Sequence, residues 1–255
     1  MPPKSLSVII PAFNEEKNIR AACVEVSRVI EKHISDYELL VFDDASQDRT
    51  ADVVKEIQKG NSRIKLFQNL VNKGLGYNYR AGISTAKCEY AIMVPGDNEL
   101  VADSLEGILE EIGTTDVIIC YSLNPEARPY WRQLISNVFT ASLNFLFGLK
   151  VRYYNGPSVI RTELAREFAP FTSSFAYMAV ILVQLIKGSA SYKHVGFRLR
   201  HRPHGRTKAF RLKNIASVIK DVLALFWKVM VLRNLKPILA VQPEVSKDHT
   251  VGIAP

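Results

Sequence analysis

Four short blocks concentrate the residues capable of chemistry. Ile10-Pro-Ala-Phe-Asn-Glu-Glu16 follows a β-branched apolar run. Its proline fixes a turn, after which Phe13 and Glu15 can line a base or ribose pocket; Asn14 ahead of acidic residues also fits helix initiation. Phe42-Asp-Asp-Ala-Ser-Gln-Asp-Arg-Thr50 sets Asp43 beside Asp44. Adjacent carboxylates repel unless a donor or cation offsets them, and a nucleobase edge or ribose hydroxyl is a suitable donor. Asn72-Lys-Gly-Leu-Gly-Tyr77 opens a helix on glycines with Lys73 beside them, a pattern suited to cradling a pyrophosphate. Met93-Val-Pro-Gly-Asp-Asn-Glu99 brings Asp97 and Glu99 to where they can share a hard divalent cation, Mg²⁺ or Mn²⁺, with a substrate's phosphates. The glycine spacing is not the dinucleotide fingerprint, which disfavours a dehydrogenase. A sugar nucleotidyltransferase is disfavoured by the absence of a glycine-rich loop near the N-terminus.

Elements of a regular alternating series must position these blocks. Strands are expected at Leu6 to Ile10, Glu38 to Phe42, Arg63 to Phe67, Tyr90 to Val94 and Asp116 to Cys120. Helical patterns fall between them, from about Glu15 to His33, Asp48 to Lys59, Gly76 to Ala86 and Val101 to Ile112. Continuous apolar strands separated by helices predict an α/β fold with a Rossmann-like, mainly parallel sheet flanked by helices. Ligands of such sheets bind at the carboxyl ends of strands, where all four blocks lie.

Charge divides the chain sharply. Residues 1–127 carry 13 Lys and Arg against 20 Asp and Glu, whereas residues 128–255 carry 20 against 5. An acidic half suits a metal, and a basic half suits an anionic partner. Arg128, Arg132, Arg202, Arg206 and Lys208 are clustered cations fit for charge-assisted bonds to phosphate. Nucleic acid is not expected as the partner, because no recognised binding module is present and the basic run adjoins an apolar helix instead of an aromatic platform. Tyr130 to Leu149 is uncharged after Arg132 but punctuated by polar residues, as in a helix lying in a membrane interface. Phe175 to Ile186 is too short to cross a bilayer and reads as a core helix. Val195, Phe197 and Leu199 alternate with arginines, as in a half-exposed strand. From about Lys208 to Asn234, apolar residues recur at three- and four-residue steps with Lys213, Lys220 and Lys228 on other faces. This amphipathic helix either packs on the domain or embeds in a headgroup layer. The start of the chain predicts no signal peptide, and Cys23, Cys88 and Cys120, each in an apolar stretch, predict buried free thiols in a reducing compartment.

In their combined order, the four blocks resemble the family-2 glycosyltransferases, with the A-type glycosyltransferase fold, over roughly residues 5–210. The second half resembles polyprenyl-phosphate sugar transferases of the dolichyl-phosphate mannosyltransferase type, on Arg132-Gln-Leu-Ile-Ser136 and Arg202-Pro-His-Gly-Arg-Thr-Lys208. The resemblance implies that Pro11, Phe13, Glu15, Phe42 and Asp44 surround the nucleotide, beside the pyrophosphate cradle read at Lys73. It places Pro95, Gly96, Asp97 and Glu99 in the metal and diphosphate motif. Arg132 and Ser136 would hold an acceptor phosphate with Arg128, while Arg202 and Lys208 reach the donor or acceptor phosphates. Asp97 and Arg132 are the implied catalytic pair. Three departures stand out: Pro95 occupies the first position of the usual Asp-x-Asp, Glu99 stands where Gln is frequent, and Asn155-Gly156 where an acidic residue is.

The resulting expectation is a metal-dependent, inverting transfer of a hexose from a nucleotide sugar to a polyprenyl phosphate. The enzyme would be cytoplasmic and peripheral to the membrane, at a membrane surface that also admits a membrane-protein partner. Residues 1–127 would bind the donor and 128–207 the acceptor within one domain; 208–236 form the amphipathic helix and 237–255 a tail. Two alternatives stay open: transfer to a glycan or lipid-linked sugar hydroxyl, which requires a general base, and a non-catalytic nucleotide-sugar-binding module.

Overall fold

The structure, a computed structural model, describes residues 4–170, 172–200 and 212–233. The chain begins as a repeating unit: β1 (Ser5–Ala12), α1 (Ile19–Glu31), β2 (Asp36–Asp43), α2 (Thr50–Gln58), β3 (Ile64–Gln68), α3 (Leu75–Thr85) and β4 (Tyr90–Met93). It continues through α4 (Glu106–Glu110), β5 (Val117–Ser122), α5 (Tyr130–Phe147), β6 (Val159–Arg161), α6 (Thr162–Glu167), α7 (Tyr177–Lys187), β7 (Tyr192–Phe197) and α8 (Leu212–Phe226). The seven strands form one sheet in the order β3-β2-β1-β4-β6-β5-β7. Neighbours pair in parallel except around β6, which runs antiparallel to both β4 and β5. The two halves of opposite charge therefore share a single sheet, since β5 pairs with β6 and β7.

β1 and β2 are buried along nearly their whole length, as strands covered by helices on both faces must be. Alternate residues feed two cores: Leu6, Val8 and Ile10 pack against α1 on one side, and Ile9, Leu40 and Phe42 against α3 and α7 on the other. α7 is the expected core helix, buried continuously from Met178 to Leu185. All three cysteines are buried and free, and burial pushes the Cys23 thiol up to about 12.

Three features depart from the sequence reading. α1 starts at Ile19 instead of Glu15, because Asn14 is left-handed (φ 58°) and residues 15–18 form turns. The helical pattern at 101–112 breaks into a 3₁₀ turn, Ala102–Leu105, and the five-residue α4. β6 and α6 were not foreseen; three residues are too few for any periodicity to show.

α8 supports both readings of the amphipathic segment. Leu225 and Val229 are buried, and Phe226 packs its ring 6.1 Å from that of Phe147 at the end of α5. Another face leaves Ile215, Ile219 and Leu223 exposed, as is Trp227 just past the end of the helix. Lys228 corrects the expected set of surface lysines: it is buried, and its Nζ donates to Gln184 Oε1 at 2.6 Å. On α5, only Leu143 and Phe147 are buried, while Tyr130, Trp131, Leu134, Ile135, Val138 and Phe145 are exposed. Among the described residues, no helix is long and apolar enough to cross a membrane.

Candidate active site

The loops after β1 and β2 are stitched together by reciprocal bonds. Asn14 N–H donates to Ser46 Oγ (2.9 Å), and Gln47 N–H returns to Asn14 Oδ1 (2.8 Å). Glu15 N–H donates to Thr50 Oγ1, Glu16 N–H to Asp48 Oδ2, and Arg49 N–H to Glu16 Oε2. Ala45 at the tip of this structure is also left-handed, at φ 63°. A non-glycine residue there costs on the order of 1 kcal/mol or more, so the surrounding bonds must hold it. Asp48 serves Thr50 as well, accepting from its N–H and hydroxyl. Burial raises the Asp48 carboxyl, and these bonds outweigh that and hold it below the usual carboxylate range.

The paired carboxylates find their donors within the protein. Asp43 Oδ1 accepts from Ser46 N–H at 3.1 Å. Asp44 accepts from the backbone N–H of Lys73 (2.8 Å) and Gly74 (2.9 Å) and from Asn69 Nδ2 (2.8 Å). The donors the pair needs are thus supplied by loop amides and an asparagine, without calling on a nucleotide, and Asp44 fixes the glycine loop. Gly74 takes φ 86°, a conformation that requires glycine. Lys73 is exposed, with its Nζ 5.3 Å from the centre of the Tyr77 ring. Phe42 is only 2% exposed and stacks on Phe67 at 4.9 Å, so its ring underlies the strand end and does not open onto a ligand.

The end of β1 touches both neighbouring blocks. Asp44 N–H donates to Ala12 O at 2.8 Å and Gly96 N–H to Pro11 O at 3.0 Å. Gly96 is buried against Ile19, whereas Phe13 is half-buried and Pro95 exposed at the surface of the same region. Glu15 is buried and accepts from Asn18 Nδ2 at 2.7 Å.

Beyond β4 the chain lines a cleft of about 90 Å³ with Pro95, Asp97, Glu99, Arg128, Asn155 and Tyr177 among its walls. Asn98, between the two carboxylates, is left-handed at φ 55°. Glu99 Oε2 lies 3.1 Å from Arg128 Nη2, and Arg128 Nη1 donates to the Tyr153 hydroxyl at 2.9 Å. Burial lowers the Arg128 guanidinium's pKa, but Tyr153 and Glu99 outweigh it and hold the charge more firmly than usual. Its Nε is buried, with no hydrogen-bond partner among the described residues. Arg132 is close enough to feel Arg128, Glu99, Tyr153 and Asp97; burial first, then Arg128, pushes it below the ordinary arginine value. It remains a cation at any working pH. Arg132 and Ser136 lie one turn apart on α5, both half-buried.

The chemistry of this donor set fits a divalent cation in one form. One oxygen of Glu99 is engaged by Arg128, so the two carboxylates are not equivalent. Mg²⁺ commonly takes one or two carboxylates plus substrate phosphates, which Asp97 and a diphosphate can supply. Among the described residues, no group of three or more His, Cys, Asp or Glu side chains could hold a metal ion by itself. Arg202 and Lys208 lie outside the described residues; Arg200, two positions earlier, pairs its N–H with Glu99 O at 2.8 Å. Asn69 and Tyr153 were missed by the sequence reading, since each acts on a partner about 25 residues away and neither sits in a recognisable pattern.

The family model for glycosyl transferase family 2 matches residues 7–171. The chain belongs to that family. A GalNAc(5)-diNAcBac-PP-undecaprenol beta-1,3-glucosyltransferase from Campylobacter jejuni is 33% identical over 107 residues, 42% of this chain and 34% of that protein. A dolichyl-phosphate beta-glucosyltransferase from Mus musculus is 31% identical over 123 residues, 46% of this chain and 37% of that protein. The matched stretch thus spans little more than a third of the length of these relatives. Among solved structures, glucosyl-3-phosphoglycerate synthase from Mycobacterium tuberculosis, crystallised with Mn²⁺, UDP and glucosyl-3-phosphoglycerate, aligns with a TM-score of 0.63. The identity is 16%, over 87% of this chain and 80% of that one. That likeness is one of fold, and it agrees with the expected A-type glycosyltransferase architecture.

Proposed function

We propose that this family-2 chain transfers a hexose from a nucleoside-diphosphate sugar to a polyprenyl phosphate at a membrane surface, with inversion. The observation that carries the acceptor is α5. One helix places Arg132 beside the Asp97–Glu99–Arg128 cleft and presents Trp131, Leu134, Ile135 and Val138 outward. A phosphate carried on a hydrocarbon tail matches both features at once. The name of the dolichyl-phosphate relative supports the same class, whereas the beta-1,3-glucosyltransferase name of the undecaprenol-linked relative fits transfer to a lipid-linked sugar.

An acceptor phosphate oxygen attacks the anomeric carbon while the bond from that carbon to the donor's diphosphate oxygen breaks. The electron pair leaves with the nucleoside diphosphate. Arg132, Arg128 and Ser136 hold and orient the acceptor phosphate, and orientation alone can supply much of a rate enhancement. The acceptor is already ionised, so it needs no general base. The cleft accords with this, because Glu99 is tied to Arg128, Asn155 is an amide, and no histidine is among the described lining residues. Glu99 serves to position Arg128. Lys73 faces the donor diphosphate from a glycine loop whose amides are held by Asp44 and Ser173, and Pro11, Phe13, Glu15, Asp44, Pro95 and Gly96 shape the nucleotide site. Asp97 would hold a divalent cation with that diphosphate, where it offsets charge growing on the leaving group. The metal-bound complexes of the solved relative support its use. Exposed apolar residues of α5 and α8 seat the protein on the bilayer, with the basic second half toward anionic headgroups.

The test offers the protein labelled nucleotide sugars with Mn²⁺ or Mg²⁺, a short polyprenyl phosphate and 3-phosphoglycerate in one mixture. Label is expected in the organic phase and absent with EDTA. Label that stays in water as a glucosylated phosphoglycerate would replace the lipid acceptor with a soluble phosphate. No transfer to either, with nucleotide binding intact, would sink the phosphate-acceptor reading.

A further inference from the structure

Between Glu167 and Glu244 the sequence contains one acidic residue, Asp221. It stands on α8, whose exposed face is apolar and whose surroundings are basic, where a carboxylate opposes docking on an anionic surface. Its position has a specific use. Asp221 Oδ2 accepts hydrogen bonds from the hydroxyls of Thr172 (2.6 Å) and Ser174 (2.5 Å). Those hydroxyls in turn accept from backbone amides, Thr172 Oγ1 from Ser174 N–H and Ser174 Oγ from Ala176 N–H. The carboxylate thus anchors a closed turn at residues 172–176.

That turn rests on the glycine loop. Gly76 N–H donates to Ser173 O at 3.3 Å, and Arg80 donates to the carbonyls of Pro170 (3.0 Å) and Thr172 (2.7 Å) and to Ser173 Oγ (3.2 Å). There is no slack between the two segments: a Cβ on Gly74 would stand 2.9 Å from Ser173 O, and one on Gly76 would stand 2.8 Å from Ser173 Cα. On its other side, the same loop is held by Asp44 through the amides of Lys73 and Gly74. A continuous series of short polar contacts therefore runs from α8 through 172–174 to the loop that faces the donor diphosphate.

We infer that Asp221 is a positioning residue for the donor site, which passes the seating of α8 on a bilayer through the 172–174 turn to the Lys73–Gly76 loop. Lipid-docked protein then holds a nucleoside diphosphate more tightly than protein in solution, and by reciprocity the bound nucleotide tightens membrane docking. The inference rests on the membrane-surface reading above, and it gives α8 a second role beyond adhesion.

Amide hydrogen exchange over residues 69–80 reads the loop directly, whatever the sugar or acceptor. The full chain would be compared with Asp221→Ala and with Thr172→Val, which leaves α8 untouched. Each is measured in solution and on phosphatidylcholine vesicles containing phosphatidylglycerol, alongside the Kd for UDP with Mn²⁺. In solution, both variants are expected to exchange about tenfold faster over 69–80 and to bind UDP about tenfold more weakly, the loss of one charge-assisted contact. Peptides from β1 and β5 should be unchanged, which a general loss of stability would not allow. On vesicles, 69–80 should gain protection in the unsubstituted chain but not in variants that still bind the vesicles. Unchanged exchange over 69–80 in both variants would overturn the positioning role. Equal vesicle protection in all three proteins would overturn the coupling, and a chain that ignores vesicles would overturn the coupling and the membrane reading together. Intact coupling with no lipid product in the transfer assay would remove only the acceptor.

Discussion

The strand-end loops of the first half and the arginine-bearing face of the second half solve opposite problems. After β1 and β2, the protein's own backbone meets the carboxylates: Asp43 by Ser46, Asp48 by Glu16 and Thr50, Asp44 by Lys73 and Gly74. Those groups are preorganised, and a ligand finds a shape already set. In the second half, Arg128 keeps a buried Nε without a partner among the described residues, and α5 and α8 carry exposed apolar side chains. Under the proposed function, internally bonded loops on the donor side lie beside an acceptor side with exposed hydrocarbon, one site with two different energetic characters.

Arg132→Ala tests the acceptor side alone and carries the largest expected effect. Transfer should fall about a thousandfold or more through lost positioning of the nucleophile. The Kd for UDP, followed by calorimetry, should stay within about threefold. Equal loss of both would erase the contrast between the two regions. Asp44→Ala is the converse. It removes the acceptor of two backbone bonds and an asparagine bond, so donor affinity should drop about a hundredfold. Acceptor KM, measured at saturating donor, should hold.

Changing Ile219→Asp with Leu223→Asp touches only the exposed face of α8. Vesicle cosedimentation should weaken about tenfold or more, while the melting temperature stays near that of the unsubstituted chain, as surface changes cost little. A large fall in melting temperature would mean that this face is covered within the protein. The smallest effect separates the halves by acid. Burial, with Arg152 adding to it, holds the His194 imidazole below its usual 6.5, so the unfolded chain takes the proton first and stability is lost as pH falls below that value. Glu38 is opposite in kind: burial raises its carboxyl, but Lys65, the Lys87 amide and Ser7 outweigh it. Its stability is full above the ordinary 4.5 and lost only as pH falls through the lowered value. Melting curves from pH 7.5 to 3.5 should therefore lose slope below pH 6.5 in His194→Gln and below pH 4.5 in Glu38→Gln.

What the sequence revealed follows the reach of each interaction. The strands β1 to β5, the core helix α7 and the clustering of the blocks at strand ends are written in local runs of apolar and turn-forming residues, and they appear where expected. β6 is invisible because three residues flanked by Pro157 and a helix carry no period, and its place between β4 and β5 is set by pairing with residues more than 40 positions away. Asp43 and Asp44 were legible as an electrostatic problem, but not its solution, since the Lys73 and Gly74 amides lie some 30 residues on and reach the carboxylate only once the sheet is built. Lys228 was placed on the wrong face for a related reason. Helical periodicity assigns faces from spacing alone, and a Gln184 buried on another helix can draw a lysine inward.

The uncovered stripe of α8 also governs how the protein behaves once purified. Ile219, Leu223 and Trp227 form a ridge that water does not tolerate over large areas, and α5 adds Phe145, 87% exposed. Without lipid or detergent, copies of the chain are expected to bury those ridges against one another. An apparent size read from a column then reports concentration and additive as much as architecture, and titrating detergent below and above its critical micelle concentration shows which species is intrinsic.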